Sequence, residues 1–171
     1  LPTAMTVAAR DPGFATELVA RLSHHKFRAY TSNDIIGVEV GGAVKNVLAI
    51  AAGMSDGLGF GANTRIALIT RGLAEMTRLG LALGAKPMTF AGLAGLGDLI
   101  LTATGGLSRN RALGLALAKG ERLEEYTATH RTVAEGVNTA RSAVGLAARY
   151  GVELPITAQV AAILFEGKAP K

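Results

Sequence analysis

Residues 41–53, GGAVKNVLAIAAG, constrain this chain more than any other stretch. Every position is apolar or small except Lys45 and Asn46. A helix that is hydrophobic nearly all round has to be buried most of the way round, so the segment demands a shell of other helices. The longest uninterrupted apolar run lies within 47–54, far short of the ~18 residues of a membrane span. Lys45 is the anomaly. An ammonium is costly to bury, and burial lowers a lysine pKa toward the range useful for proton transfer. Asn46 beside it adds a donor and an acceptor. Gly41 and Gly42, at the expected start of the helix, let backbone come close to a ligand. The plain alternative is a lysine that snorkels to solvent from a buried helix.

Around this segment the chain divides near residue 37. Residues 3–9 (TAMTVAA) predict a short buried strand ending at the Arg10-Asp11-Pro12 turn. Phe14, Leu18 and Leu22, four apart, predict an amphipathic helix over 14–23. Phe27-Arg28-Ala29-Tyr30 alternates like an exposed strand. Such a strand–helix–strand unit is too small to bury both of its faces alone. Residues 1–36 are therefore expected to be the terminal piece of a longer, truncated domain, and 37–171 a helical domain. A first residue that is Leu, not Met, agrees with a piece of a longer polypeptide.

Helical signals dominate the second part. Over 63–84, Ile66, Ile69, Leu73, Met76, Leu79 and Leu83 form one stripe, with Arg71 and Glu75 on the other face. Ser108 is a good N-cap for a helix that ends before Gly120. A helix over 137–150 stops at Gly151, and one over 155–165 opens on Pro155. The fold class is mainly α, with a small α/β remnant at the N-terminal end.

Composition removes several function classes. The chain has no cysteine, which excludes disulfides and thiolate chemistry and agrees with a cytoplasmic location. His24, His25 and His130 show no metal-ligand spacing, and no metal is expected. Eighteen basic against thirteen acidic residues give a net charge of +5, which favours anionic partners. Aromatics are 5% and Trp is absent, an argument against stacking on nucleic-acid bases. The start, LPTAMTVAARD, has neither the basic region nor the cleavage site of a secretory leader. Neither nucleic acid nor stable membrane insertion is expected. The segment Gly57-Leu58-Gly59-Phe60-Gly61-Ala62 matches a dinucleotide pattern in letters only, because it follows a helix instead of a strand. Residues 53–61 read as a loop between two helices.

Two further segments carry chemistry. In residues 105–111, GGLSRNR, two arginines crowd the first turn of a helix, where the helix dipole favours anions. Free N–H groups and guanidinium together suit a phosphate; a solvated basic turn is the bland reading. Asp98, between glycines and an apolar run, either pairs with Lys45 or Arg109 or caps the helix beginning near Leu99. Thr102 and Thr104 add hydroxyls nearby.

Four stretches, taken in order, resemble bacterial NAD(P)-dependent glycerol-3-phosphate dehydrogenases: LPTAMTVAARD, the run from GVEVGGAVKN to GLAEM, TFAGLAGLGDLILTATGGLSRNR, and TVAEGV. The resemblance implies a helical substrate domain of the 6-phosphogluconate-dehydrogenase C-terminal type, preceded by the end of a Rossmann domain. It implies that Lys45 is the catalytic proton carrier. It also implies that Asn46, Asp98, Ser108, Arg109 and Asn110 meet a small phosphorylated substrate. Arg109, Val133 and Glu135 would touch NAD or NADP, held mainly by the domain of which residues 1–36 are the end. Ala103 departs from the family, where Cys is frequent. The implied reaction interconverts sn-glycerol 3-phosphate and dihydroxyacetone phosphate, supplying glycerol 3-phosphate for phospholipid synthesis. The fragment alone is expected to be inactive. A homodimer is compatible with all of this. The alternatives are another lysine-dependent hydroxy-acid dehydrogenase, or a non-catalytic helical dimerisation module in which Lys45 and Asp98 are a structural pair.

Overall fold

The computed structural model describes residues 1–130 and 134–170. Two strands, β1 (Thr3–Ala8) and β2 (Phe27–Ser32), pair in parallel, with Thr3 opposite Phe27 and Ala8 opposite Ser32. Parallel neighbours need a crossover, and α1 (Pro12–Leu22) provides it. Asp11 caps α1 by accepting from the N–H groups of Gly13 and Phe14, with Pro12 in the first helical position.

Two expectations fail in this unit. β1 is largely exposed, not buried, because a two-stranded sheet with one helix leaves a face open. The stripe of Phe14, Leu18 and Leu22 does not face the interior either. Ala15 is the buried contact of α1, while Phe14 is 58% exposed. A small side chain lets the helix sit closer to the sheet than the Phe14 face allows.

The rest is helical. After α2 (Ile35–Gly57) and α3 (Gly61–Ala82) come the short α4 (Pro87–Ala91), a π-helical turn at Leu93–Gly97, and α5 (Asp98–Thr104). Then follow α6 (Arg109–Ala118), α7 (Leu123–Thr129), α8 (Glu135–Tyr150) and α9 (Pro155–Phe165). α2 is the axis, packed by α3, α5, α6, α8 and α9. Its residues 47–55 are all buried. On one side Leu48 joins Met76, Leu79, Phe90 and Leu99. On the other, Val47 and Ile50 join Leu113, Val137, Val160 and Leu164.

α2 corrects two expectations. It starts at Ile35, six residues before Gly41, because the Asp34 carboxylate accepts from the N–H of Gly37 and caps it there. It also runs on through Gly57, so only residues 58–60 connect it to α3. Met54 and Ser55 are buried, which draws the expected loop into the helix. By length and mean hydropathy α2 would suffice to cross a membrane. Glu39, Lys45 and Asp56 nevertheless break it, so it holds no uncharged run of ~18 residues.

α3 likewise departs from its pattern. Ile66 is 55% exposed, whereas Glu75, expected on the outer face, is 2% exposed. The Glu75 carboxylate accepts from the N–H groups of Ile156 and Thr157 and from the Thr157 hydroxyl, so it caps α9 from a neighbouring helix. Pro155 supplies the first-turn residue that needs no acceptor. α8 ends at Gly151 in the left-handed conformation.

Candidate functional site

Lys45 projects from the middle of α2 toward the start of α5. Its Nζ lies 2.5 Å from Asp98 Oδ2, with side chains 19% and 35% exposed. Asp98 is the first residue of α5 and makes no cap hydrogen bond, so of its two readings the structure shows the Lys45 pair. The ammonium is accordingly neither sealed in apolar surroundings nor free in solvent. It lines a cleft and is held there by a carboxylate that stands outside it. Thr102 Oγ donates to the Asp98 carbonyl oxygen at 2.7 Å, one turn along α5. Thr104 faces outward and bonds to the Ile100 carbonyl.

The cleft has a volume of about 670 Å³ and is walled by α2, α5, the 105–108 turn and the first residues of α6 and α8. Lys45, Asn46, Ser108, Arg109, Asn110 and Glu135 all line it. Asp98 opens instead onto a neighbouring hollow against β1, shared through Gly42 and Leu101. Gly42 has nothing within 4 Å of where a Cβ would stand, whereas Gly41 is pressed against the Ala94 carbonyl. Of the two glycines expected to admit a ligand, Gly42 lies open beside the cleft and Gly41 is consumed by packing.

The turn before α6 is built by Ser108, whose Oγ accepts from the Arg111 N–H at 3.2 Å. A hydroxyl that caps by accepting keeps its own proton to donate. Arg109 is half exposed at the mouth of the cleft and paired with Glu135, Nη2 to Oε1 2.5 Å. Arg111, read from sequence as part of the anion cradle, turns the other way. It forks onto Asp56 at the far end of α2, because an almost buried carboxylate there attracts it more strongly than solvent does. The cradle is thus left with one guanidinium, the Ser108 hydroxyl and the open Gly106.

Asn110 is 4% exposed and bonded at both ends. Its Nδ2 donates to Asn46 Oδ1 and its Oδ1 accepts from the Gly136 N–H, each at 2.9 Å. Asn46 Nδ2 in turn donates to the Gly42 carbonyl. One chain of amides therefore joins α2, α6 and the start of α8 beneath the cleft. Val133 falls outside the described residues.

Over residues 34–171 the sequence matches the family model described as NAD-dependent glycerol-3-phosphate dehydrogenase C-terminus. The chain belongs to this family. It is 58% identical over 168 residues to the glycerol-3-phosphate dehydrogenase [NAD(P)+] of Geobacter sulfurreducens, covering 98% of this chain and 50% of that protein. To the protein of the same name from Cupriavidus metallidurans it is 62% identical over 167 residues, 98% of this chain and 49% of the other. The fold matches the crystal structure of glycerol-3-phosphate dehydrogenase from Coxiella burnetii with a TM-score of 0.96 at 48% identity, over 99% of this chain and 52% of that one. The chain spans about half the length of the curated relatives it matches. Family membership agrees with the mainly α architecture and its small parallel sheet.

Sequence reasoning missed Asp34 and Asp56, both charged groups that fix α2 at its ends. Their signal was weak: each is a carboxylate at a helix boundary, and its partners lie up to 55 residues away.

Proposed function

We propose that this chain is the catalytic, substrate-binding half of a glycerol-3-phosphate dehydrogenase that interconverts sn-glycerol 3-phosphate and dihydroxyacetone phosphate with NAD or NADP. The observation that carries the reading is that Lys45, held from behind by Asp98, lines one cleft together with the Ser108–Arg109 turn. A proton carrier and an anion-binding turn face one volume, as a phosphorylated hydroxy-ketone requires. Residues 1–36 are the end of the dinucleotide-binding domain, and 37–171 form the helical domain.

In the reducing direction, the Lys45 ammonium donates its proton to the C2 oxygen as the ketone becomes an alcohol. In the oxidising direction, neutral Lys45 removes the hydroxyl proton. Asp98 holds the Lys45 nitrogen in place and balances its charge when protonated. Arg109 and the Ser108 hydroxyl bind the phosphate, with Asn46 and Asn110 holding the wall that carries them. The half-exposed Arg109 and Glu135 at the mouth of the cleft suit an anionic, hydroxyl-rich dinucleotide, so the residues present fit NAD(P). NAD(P), when bound, would supply the hydride chemistry at C2.

The enzyme supplies glycerol 3-phosphate for phospholipid synthesis in the cytoplasm. Its small-molecule partner is the phosphorylated substrate, and a homodimer is compatible with this reading. The 171-residue chain by itself has little or no turnover, since most of the cofactor's contacts lie elsewhere in the full-length protein.

The test is the full-length parent protein, followed by NAD(P)H absorbance with and without dihydroxyacetone phosphate, beside Lys45→Ala. Substrate-dependent oxidation that falls by about 10²-fold or more in the variant supports the reading. Oxidation that survives the substitution removes Lys45 from the proton-transfer role. A folded, cofactor-binding protein that oxidises nothing with this substrate, yet acts on a hydroxy acid, replaces the substrate.

A further inference from the structure

Asp56 sits in the last turn of α2, eleven residues past Lys45 and roughly 16 Å along the helix. It lies outside the cleft, and its side chain is 10% exposed. Both oxygens are used. Oδ1 accepts from Arg65 Nη1 of α3 at 2.8 Å. Oδ2 accepts from Arg111 Nε at 3.0 Å and from Arg111 Nη2 at 2.6 Å. A planar guanidinium with two N–H groups on one oxygen is fixed in direction as well as distance.

Arg111 is attached to α2 in a second way. A Cβ on Gly53 would overlap the Arg111 carbonyl oxygen, and one on Gly114 would overlap the Ile50 carbonyl oxygen, so α2 and α6 touch through their backbones. The Arg111 N–H is the group that the Ser108 hydroxyl caps. Side chain, carbonyl and N–H of this one residue thus link Asp56, Gly53 and Ser108. Arg109 is two residues away on the same first turn.

We propose that Asp56 is a positioning residue for the anion-binding turn: through Arg111 it sets where Ser108 and Arg109 stand relative to Lys45. The assignment rests on the proposed function, in which that turn holds the substrate's phosphate. A carboxylate serving stability alone is replaceable by apolar packing. One that aims Arg109 leaves a mark on phosphate binding.

The experiment uses the full-length parent enzyme, with Asp56→Asn, Arg111→Lys, Arg65→Gln, Arg109→Ala and the double variant Asp56→Asn/Arg109→Ala. Asp56→Asn raises KM for dihydroxyacetone phosphate about tenfold, ~1.4 kcal/mol, while kcat stays within about twofold. Arg111→Lys, which keeps the charge and loses the fork, does the same. Arg65→Gln, which strips the other oxygen, leaves KM within about twofold. In the Arg109→Ala background, Asp56→Asn adds less than about twofold, because the residue it aims is gone. Thermal melts establish which variants fold, and Arg111→Lys carries the test should Asp56→Asn not fold.

A folded Asp56→Asn or Arg111→Lys with unchanged KM overturns the assignment. So does an equal rise in Arg65→Gln, or a full tenfold effect persisting without Arg109. A wild-type enzyme that does not turn over dihydroxyacetone phosphate overturns the proposed function itself, and this assignment with it.

Discussion

Replacing Asp34 tests the capping argument quantitatively. The residue is 6% exposed, and its carboxylate accepts from the Gly37 N–H at 3.0 Å, the Lys86 N–H at 2.9 Å and the Thr89 hydroxyl at 2.5 Å. Asp34→Ala removes the cap of α2, worth ~1 kcal/mol. It also strands the Lys86 N–H, worth about 1–3 kcal/mol. Thr89 can rotate to another acceptor. The expected loss is roughly 2–4 kcal/mol, read as the shift in ΔG from equilibrium urea unfolding at neutral pH. pH adds a second signature. Burial pushes the Asp34 carboxyl up, but the bonds from Thr89, Lys86 and Gly37 and the Lys86 ammonium outweigh it and hold the pKa below its ordinary value. A carboxylate whose folded pKa is depressed contributes stability above its unfolded pKa and loses it as pH falls through the folded one. Asp34→Asn presents an amide, a donor, toward at least one donor. Its deficit relative to wild type is therefore largest near neutrality and shrinks as pH drops below the usual aspartate range. A deficit under about 1 kcal/mol in the alanine variant, or an Asp34→Asn deficit that does not change with pH, refutes the reasoning.

Glu75→Ala leaves the Ile156 and Thr157 N–H groups without their acceptor and should cost about 2–4 kcal/mol in the same unfolding assay. Gly114→Ala forces a methyl into the Ile50 carbonyl. It is expected to destabilise by about 1–3 kcal/mol, although alanine is the better helix former, and a stabilised variant would contradict the backbone contact. Burial and the neighbouring Glu121 raise the Tyr126 pKa. Its neutral form thus contributes stability that is present below the unfolded pKa and lost as pH rises through the folded one. Tyr126→Phe should flatten the alkaline limb of a stability–pH curve.

What could be read from the sequence was what the chain encodes locally. Pro155 opens α9, Ser108 caps α6 and Gly151 closes α8, each within a turn of the residue that signals it. The apolar continuity of 47–54 likewise declared a core helix. Glu75 was misplaced because periodicity describes one helix at a time. The capping need that draws it inward belongs to α9, some 80 residues later. Arg111 was misread for the same reason: its position suggested an anion, while its partner Asp56 waited on another helix. At the cleft, Lys45, Asp98, Ser108 and Arg109 could be singled out by residue type. Their convergence depends on how α5 and α6 lie against α2, which no local pattern states.

The complete burial of residues 47–55 of α2 has a consequence for synthesis. Its most apolar turns leave the ribosome well before α8 and α9, which close one flank of it and end at Phe165, roughly a hundred residues beyond Gly57. At about 5–20 residues per second, the nascent chain carries this greasy rod without its final cover for some 5–20 seconds. During that interval α3, and then α5 and α6, offer partial shelter. The later the flanking helices arrive, the longer a segment able to be mistaken for a membrane anchor stays open to holdase chaperones or to other nascent chains.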